Sequence, residues 1–175
     1  MVYQEKNKLT LHIKTTICPI HKNPSYHSEL ISEGILGEKI KILNKENNWA
    51  FIQLVTDSYR GYINLKHVGK SFEPTHKVIS PKTIALLKAD IRSRGVKLLT
   101  FGSLVKVEDF NGNWAQVRIN DNDKSNSVSY IPKIHLVEID YKCKDWISLA
   151  ENLIGCPYKW GGRSSLGLDC SALLQ

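Results

Sequence analysis

An internal repeat organises the first 140 of the 175 residues, and it constrains the fold more than any other feature of the sequence. Four landmarks recur in the same order: Leu36-Gly37, Asn48-Trp49-Ala50, Tyr62-Ile63 and His67-Val68, then Phe101-Gly102, Asn113-Trp114-Ala115, Tyr130-Ile131 and His135-Leu136. The spacing from Gly to Trp is 12 residues in both copies. The chain therefore builds one supersecondary unit twice.

Each copy alternates short β-rich runs with polar turns. Lys39-Ile40-Lys41-Ile42 in the first copy corresponds to Ser103-Leu104-Val105-Lys106-Val107 in the second, and a Trp opens the next run in both. Several strands of about five residues, separated by polar turns, predict a small antiparallel barrel for each copy. Because Trp49 and Trp114 open strands at matching positions, we expect both side chains in the cores.

The first copy resembles the bacterial SH3-like domain in Gly37-Glu38-Lys39-Ile40, in Trp49 and in the string from Asp57 to Ile63. Ser58 stands where the family usually has Gly, and Tyr62 where it usually has Trp. The second copy departs further and has Ser103 in place of the Glu. The resemblance implies SH3-like domains at residues 1–72 and 73–140.

Helical periodicity begins near Asp145. Apolar residues then recur at helical spacing: Trp146, Ile147, Leu149, Ala150, Leu153 and Ile154. We expect a helix of about nine residues, with Asp145 as N-cap and Gly155 just past the end. A second helix is predicted to begin at Cys170, capped by Asp169, and its dipole would lower the pKa of the thiol.

The ending as a whole resembles the start of the NlpC family of papain-like cell-wall peptidases. The string is Leu153-Ile-Gly-x-Pro-Tyr-x-Trp-Gly-Gly162 followed by Asp169-Cys-Ser171, with Ala172 where the family usually has Gly. The expected fold class is therefore mainly β: two small SH3-like antiparallel barrels, then the helical start of an α+β papain-like domain at residues 141–175. The family often carries SH3-like domains N-terminal to the peptidase.

The resemblance implies the roles of the site residues. Cys170 would be the nucleophile, and the Tyr158 hydroxyl would donate a hydrogen bond to the developing oxyanion. Asp169 and Ser171 would help to hold the free amine of the substrate, assisted from the first SH3-like domain by Tyr59 and Glu38. For Tyr59 the alternative is packing at the edge of the core, and for Glu38 it is satisfying a turn.

Papain-like chemistry also needs a base, usually His, beside the thiol. The six histidines all precede Cys170: His12, His21, His27, His67, His76 and His135. In the family the base follows the Cys, and only five residues do so here. We therefore expect a C-terminally truncated and inactive chain, whose last residues pack poorly for want of the peptidase sheet.

Composition adds few constraints. The net charge of +7 is spread along the chain, so neither a nucleic-acid nor a membrane partner is expected. The N-terminus lacks the apolar core of a signal peptide, which favours a cytoplasmic protein. The cysteine spacing suggests no metal site, no cofactor is expected, and Cys18, Cys143 and Cys156 are expected to be inert.

Two functions from different classes remain open. The first is a γ-D-glutamyl-L-diamino-acid endopeptidase that cuts muropeptides, as the resemblance implies. The second is a non-catalytic SH3-like module that binds cell-wall peptide or a partner protein. A downstream His followed by a second polar residue would decide for the enzyme.

Overall fold

The computed structural model describes residues 11–70, 72–119 and 128–174. Two curled antiparallel sheets of seven strands follow one another along the chain. The first, here the first barrel, contains β1 Leu11–Ile13, β2 Ile17–His21, β3 Leu30–Ile35, β4 Lys39–Glu46, β5 Trp49–Leu54, β6 Arg60–Asn64 and β7 Val68–Gly69. The second barrel contains β8 His76–Val78, β9 Lys82–Leu86, β10 Gly95–Thr100, β11 Leu104–Asn111, β12 Trp114–Arg118, β13 Ser129–Pro132 and β14 Leu136–Glu138.

The two barrels have the same topology. The strand order is β3-β2-β6-β5-β4-β1-β7 in the first and β10-β9-β13-β12-β11-β8-β14 in the second, so each strand has its counterpart seven strands later. A 3-10 helix precedes the last strand of each barrel, at Leu65–His67 and Lys133–His135. The mainly β architecture predicted from the repeat is confirmed.

The repeat is also present in the main-chain hydrogen bonds, because the two barrels form them at equivalent positions. The Gly37 N–H donates to the Ile13 carbonyl at 2.8 Å, and the Gly102 N–H donates to the Val78 carbonyl at 2.9 Å. Both glycines have a positive φ, +87° and +80°, which explains the shared Gly landmark. The repeated Gly is therefore the turn that leads into the long strand of each barrel.

Alternating apolar residues fill each barrel. The first core consists of Ile13, Cys18, Ile20, Ile40, Ala50, Ile52, Leu54 and Ile63. Trp49 is buried beside it, with its ring 4.9 Å from that of Tyr26, whereas Trp114 is half-buried. The second core includes one residue that belongs to the first barrel. This residue is Leu36, which is fully buried in the cluster that contains Val78, Leu99 and Val105.

Hydrogen bonds to main-chain carbonyls also join the two barrels. The Leu104 N–H donates to the Leu36 carbonyl at 2.8 Å, and the Thr16 hydroxyl donates to the Leu98 carbonyl at 2.6 Å. A Cβ on Gly37 would lie 2.6 Å from the Cβ of Leu104, so the close approach requires glycine there. The two barrels therefore meet through directional bonds as well as apolar contact.

The last segment contains little helix. α1 covers only Trp146–Glu151, shorter than the predicted nine residues, although Asp145 does act as its N-cap by accepting the Ser148 N–H at 3.1 Å. Beyond it lie a two-stranded hairpin, β15 Arg163–Ser164 and β16 Gly167–Leu168, and a 3-10 helix at Ala172–Leu174. No helix among the residues that the structure describes is long and apolar enough to cross a membrane.

Candidate functional site

Cys170 lies in an exposed turn directly after β16, and Asp169 organises that turn. One carboxylate oxygen of Asp169 accepts three hydrogen bonds, from the Ser171 N–H at 2.9 Å, the Ser171 hydroxyl at 2.8 Å and the Ala172 N–H at 2.8 Å. Asp169 thus caps the turn as predicted, but a three-residue 3-10 helix follows instead of an α-helix. The predicted helix dipole at Cys170 is therefore not part of this geometry.

The other Asp169 oxygen fixes the Gly-Gly loop. It accepts the Gly161 N–H at 3.1 Å, while the Asp169 N–H donates to the Gly162 carbonyl at 3.1 Å. Partial burial raises the pKa of the Asp169 carboxyl, but the hydrogen bonds from Ala172, Ser171 and Gly161 outweigh it and lower the pKa overall. Asp169 is therefore ionised at neutral pH and already holds four protein donors.

The segment bearing Tyr158 runs beside the strand that leads to Cys170. The Leu168 N–H donates to the Pro157 carbonyl and the Lys159 N–H donates to the Leu168 carbonyl, both at 3.0 Å. Tyr158 and Trp160 are 69% and 62% exposed. The loop thus presents two aromatic rings close in the fold to the Cys170 turn. Residues 157–171 are called the Cys170 segment below.

The first barrel holds the Cys170 segment in place. The Lys159 ammonium forms an ion pair with the Glu33 carboxylate, and the Arg163 N–H donates to Glu33 at 3.2 Å. Gly161 has a φ of +68°, and a Cβ there would lie 3.1 Å from the main chain of Ile31 and Ser32. The expectation of poor packing is therefore wrong for this part of the tail, because it packs on β3 of the first barrel.

Glu38 is almost fully buried in the first barrel. Its carboxylate accepts the Ile35 N–H at 2.6 Å and forms an ion pair with the Arg163 guanidinium at 3.3 Å. Burial raises the pKa of Glu38, and the charge of Arg163 opposes that rise. Its predicted role toward substrate stays a prediction, and in this structure the carboxylate is engaged by protein groups.

Tyr59 lies on the loop before β6 and is 37% exposed. Its hydroxyl donates to the Ile31 carbonyl at 2.9 Å, and its N–H donates to the Asp57 carboxylate at 2.8 Å. Since Ile31 is also the residue that Gly161 approaches, the Tyr59 ring and the Cys170 segment rest on the same strand, β3. The structure therefore brings Tyr59 and Glu38 to the barrel face on which the Cys170 segment packs.

The described histidines belong to the barrels. His67 shares a hydrogen bond of 2.9 Å with Thr15, and His135 one of 2.8 Å with Thr83. No hydrogen bond joins a histidine to Cys170 within residues 11–70, 72–119 and 128–174, and this part of the chain holds no cluster of metal-ligating side chains. Cys18 is buried, which raises the pKa of its thiol, and it faces the first core.

The sequence alone did not identify the charged residues whose ion pairs join the first barrel to the Cys170 segment. Besides Glu38, they are Glu33, Asp57, Lys159 and Arg163. Lys159 and Arg163 flank the Trp-Gly-Gly string, so their position in the motif was a signal. Their partners lie more than a hundred residues away in the chain, and only the fold reveals them.

The chain is similar to known proteins in sequence and in fold. Residues 20–68 match a family model described as the bacterial dipeptidyl-peptidase SH3 domain. Dipeptidyl-peptidase 6 of Lysinibacillus sphaericus is 26% identical over 175 residues, with 88% of this chain and 63% of that protein covered. The chain thus spans less than two thirds of this curated relative.

Two solved structures share the fold. An NlpC/P60 family protein of Bacillus cereus superposes with a TM-score of 0.76 at 14% identity, covering 94% of this chain and 70% of its own. An NlpC/P60 endopeptidase of Photobacterium damselae subsp. piscicida superposes with a TM-score of 0.65 at 15% identity. The match covers 99% of this chain and 43% of the endopeptidase. The resemblance to NlpC/P60 proteins with N-terminal SH3-like domains is confirmed in fold.

Proposed function

From the fold shared with NlpC/P60 proteins, we propose that this chain is the part of a cell-wall cysteine peptidase that carries its nucleophile, Cys170. The observation that supports the proposal most directly is the Asp169-Cys170-Ser171 turn, held beside Tyr158 and exposed to solvent on the first barrel. The relative that is a dipeptidyl-peptidase supports a hydrolase that acts on peptides.

The proposed reaction is acyl transfer to sulfur. The Cys170 thiolate attacks the carbonyl carbon of the scissile amide, a C–S bond forms, and the C–N bond breaks as the amine leaves with a proton. Water then hydrolyses the thioester and frees the thiol and a carboxylate. The exposed Tyr158 hydroxyl would donate a hydrogen bond to the oxyanion in both steps.

The proton transfers need a base that Cys170 does not contact in the described residues. Removing such a base typically costs about two to four orders of magnitude in rate. We therefore propose that the 175 residues alone do not turn over substrate. The base would lie in the part of the relatives that this chain does not cover. The chain covers 63% of the dipeptidyl-peptidase and 70% of the Bacillus cereus protein.

We propose the peptide stem of a muropeptide as substrate, cut between D-glutamate and the diamino acid, with its free amine near Asp169 and Tyr59. The full-length product of the reading frame should release diaminopimelate from L-Ala-γ-D-Glu-diaminopimelate. Cys170→Ala should abolish release, whereas Cys156→Ala, which alters the thiol just before the Cys170 segment, should not. An active Cys170→Ala variant would overturn the proposal.

The second candidate is a binding module without catalytic activity. The matched family model is an SH3 domain, and a loop of the matched region in this chain carries the partly exposed Tyr59. Titration calorimetry of the 175-residue chain with the same tripeptide would test it. Binding that Tyr59→Ala abolishes, together with no hydrolysis by the full-length product, would favour this candidate over the peptidase.

A further inference from the structure

One buried guanidinium lies where three segments of the chain meet. The Arg163 side chain is 9% exposed, and its ion-pair partners Glu38 and Asp57 are 7% and 20% exposed. The guanidinium reaches both oxygens of Glu38 at 3.3 Å, Asp57 at 3.3 Å and the Glu33 carbonyl at 2.7 Å. A planar fork with several fixed donors suits such a junction, and Lys could not reproduce it.

Both ion-pair partners of Arg163 also position something else. Glu38 accepts the Ile35 N–H and so closes the turn before β4. Asp57 accepts the Tyr59 N–H at 2.8 Å and so shapes the loop that carries Tyr59. Arg163 itself pairs with Leu168 in the β15–β16 hairpin, one residue before Asp169. The guanidinium therefore couples the Tyr59 loop to the β15–β16 hairpin that precedes Cys170.

The second barrel provides an internal comparison for Glu38. Ser103 occupies the equivalent place after Gly102, and its hydroxyl accepts the Thr100 N–H at 3.1 Å, as Glu38 accepts that of Ile35. A short hydroxyl is thus enough to close this turn. The longer, charged side chain at position 38 has a further use, which is to hold Arg163.

We propose that Arg163 is a positioning residue: its ion pairs with Glu38 and Asp57 set the Cys170 turn at a fixed place relative to the Tyr59 loop. The inference rests on the proposed peptidase function and adds to it a residue that touches neither the reacting atoms nor the substrate. A misplacement of about 1 Å at the reacting atoms can cost about 100-fold in rate.

The test uses Arg163→Gln, Arg163→Lys, Glu38→Ser and the double variant Arg163→Gln/Glu38→Ser in the full-length product. Glu38→Ser copies the second barrel, so the turn survives while the ion pair is lost. We expect kcat to fall by about 100-fold in Arg163→Gln and Glu38→Ser with little change in KM, and less in Arg163→Lys. The double variant should be no worse than either single one, because both remove the same coupling.

Arg118→Gln is the matched control, because Arg118 pairs with Glu108 at 2.7 Å in the second barrel, away from the Cys170 segment. It should leave kcat unchanged. Unchanged kcat in Arg163→Gln, or losses from Arg163→Gln and Glu38→Ser that multiply in the double variant, would overturn the proposal. Multiplying losses would instead mean that Glu38 meets the substrate on its own.

A second readout separates this proposal from the proposed function. In the 175-residue chain, Arg163→Gln should speed amide hydrogen exchange at Gly161, Leu168 and Asp169 while β5 stays protected. Equal loss of protection in β5 would show a general structural role and overturn the proposal. If the exchange effect is found and Cys170→Ala is active, Arg163 positions the segment as inferred and the peptidase assignment alone fails.

Discussion

The Lys159 ammonium and the Glu33 carboxylate pair across 126 residues of sequence and join the Cys170 segment to the first barrel. The Glu33 side chain is 1% exposed, whereas that of Lys159 is 45% exposed. The two side chains therefore differ in their access to water. The buried Glu33 carboxylate needs Lys159 to offset the loss of solvent, whereas the Lys159 ammonium remains in contact with water.

Lys159→Met should destabilise the docked segment more than Glu33→Gln does. The first change leaves a buried carboxylate without its cation and should cost about 2 kcal/mol, while the second removes the buried charge itself and should cost less. Protection of the Lys159 and Leu168 amides from hydrogen exchange would measure both costs. A larger effect of Glu33→Gln would contradict this account of the pair.

Stability should fall as the pH drops from about 6.5 to about 4. Burial, aided by the charges of Lys66, Lys14 and His21, lowers the pKa of His67 to about 4 from its ordinary 6.5. Between these values the unfolded chain binds a proton at His67 that the folded chain does not, so the contribution of His67 to the free energy of unfolding rises with pH and levels off above about 6.5.

Urea unfolding at several pH values would measure that slope. His67→Gln removes the titrating group and should flatten the slope across this window, whereas His27→Gln, at an exposed turn position, is the matched control and should leave it unchanged. A slope that His67→Gln does not alter would show that other groups, such as His12 or His135, carry the effect.

Asp169→Ala should loosen the Cys170 turn without unfolding the barrels. The carboxylate accepts four hydrogen bonds, and losing them should speed exchange of the Gly161 and Ala172 amides by at least about tenfold. Ser171→Ala removes one of the four and should have a much smaller effect. Equal effects of the two changes would show that the Ser171 hydroxyl, and not the carboxylate, organises the turn.

Gly37→Ala should destabilise the junction between the barrels. The new Cβ combines a φ of +87° with a contact of 2.6 Å to Leu104. Gly112→Ala is the matched control, since it has a φ of +56° and no atom within 4 Å of the new Cβ. We expect about 3 kcal/mol for Gly37→Ala and about 1 kcal/mol for Gly112→Ala in urea unfolding. Similar costs would mean that Leu104 yields freely.

The repeat allowed the barrels to be predicted because its signals are local. Gly37 and Gly102 mark the same turn, and alternation around Trp49 and Trp114 identifies the same strand, so short windows of sequence contain the information. The turn at Asp169 was predictable for the same reason, since a capping carboxylate acts on residues two and three positions away.

The ion pairs between the first barrel and the Cys170 segment were not predictable, because the paired residues are distant in sequence. Glu33 lies in a strand where an acidic residue would ordinarily face solvent, and its burial becomes explicable only when Lys159 is seen beside it. The helix expected around Trp146 is shorter than its periodicity indicated, because apolar spacing alone does not set where a helix ends.

The contact between the barrels is made by unlike surfaces. Leu36 of the first barrel meets Leu104 of the second, whereas the repeat counterpart of Leu36 is Phe101. The contact is therefore heterologous, and the surface around Phe101 is the second barrel's equivalent of the one that the first barrel uses. Tyr141 and Leu149 already line the cavity beside Phe101. The residues after the second barrel thus lie beside the surface that corresponds to the first barrel's contact with the second.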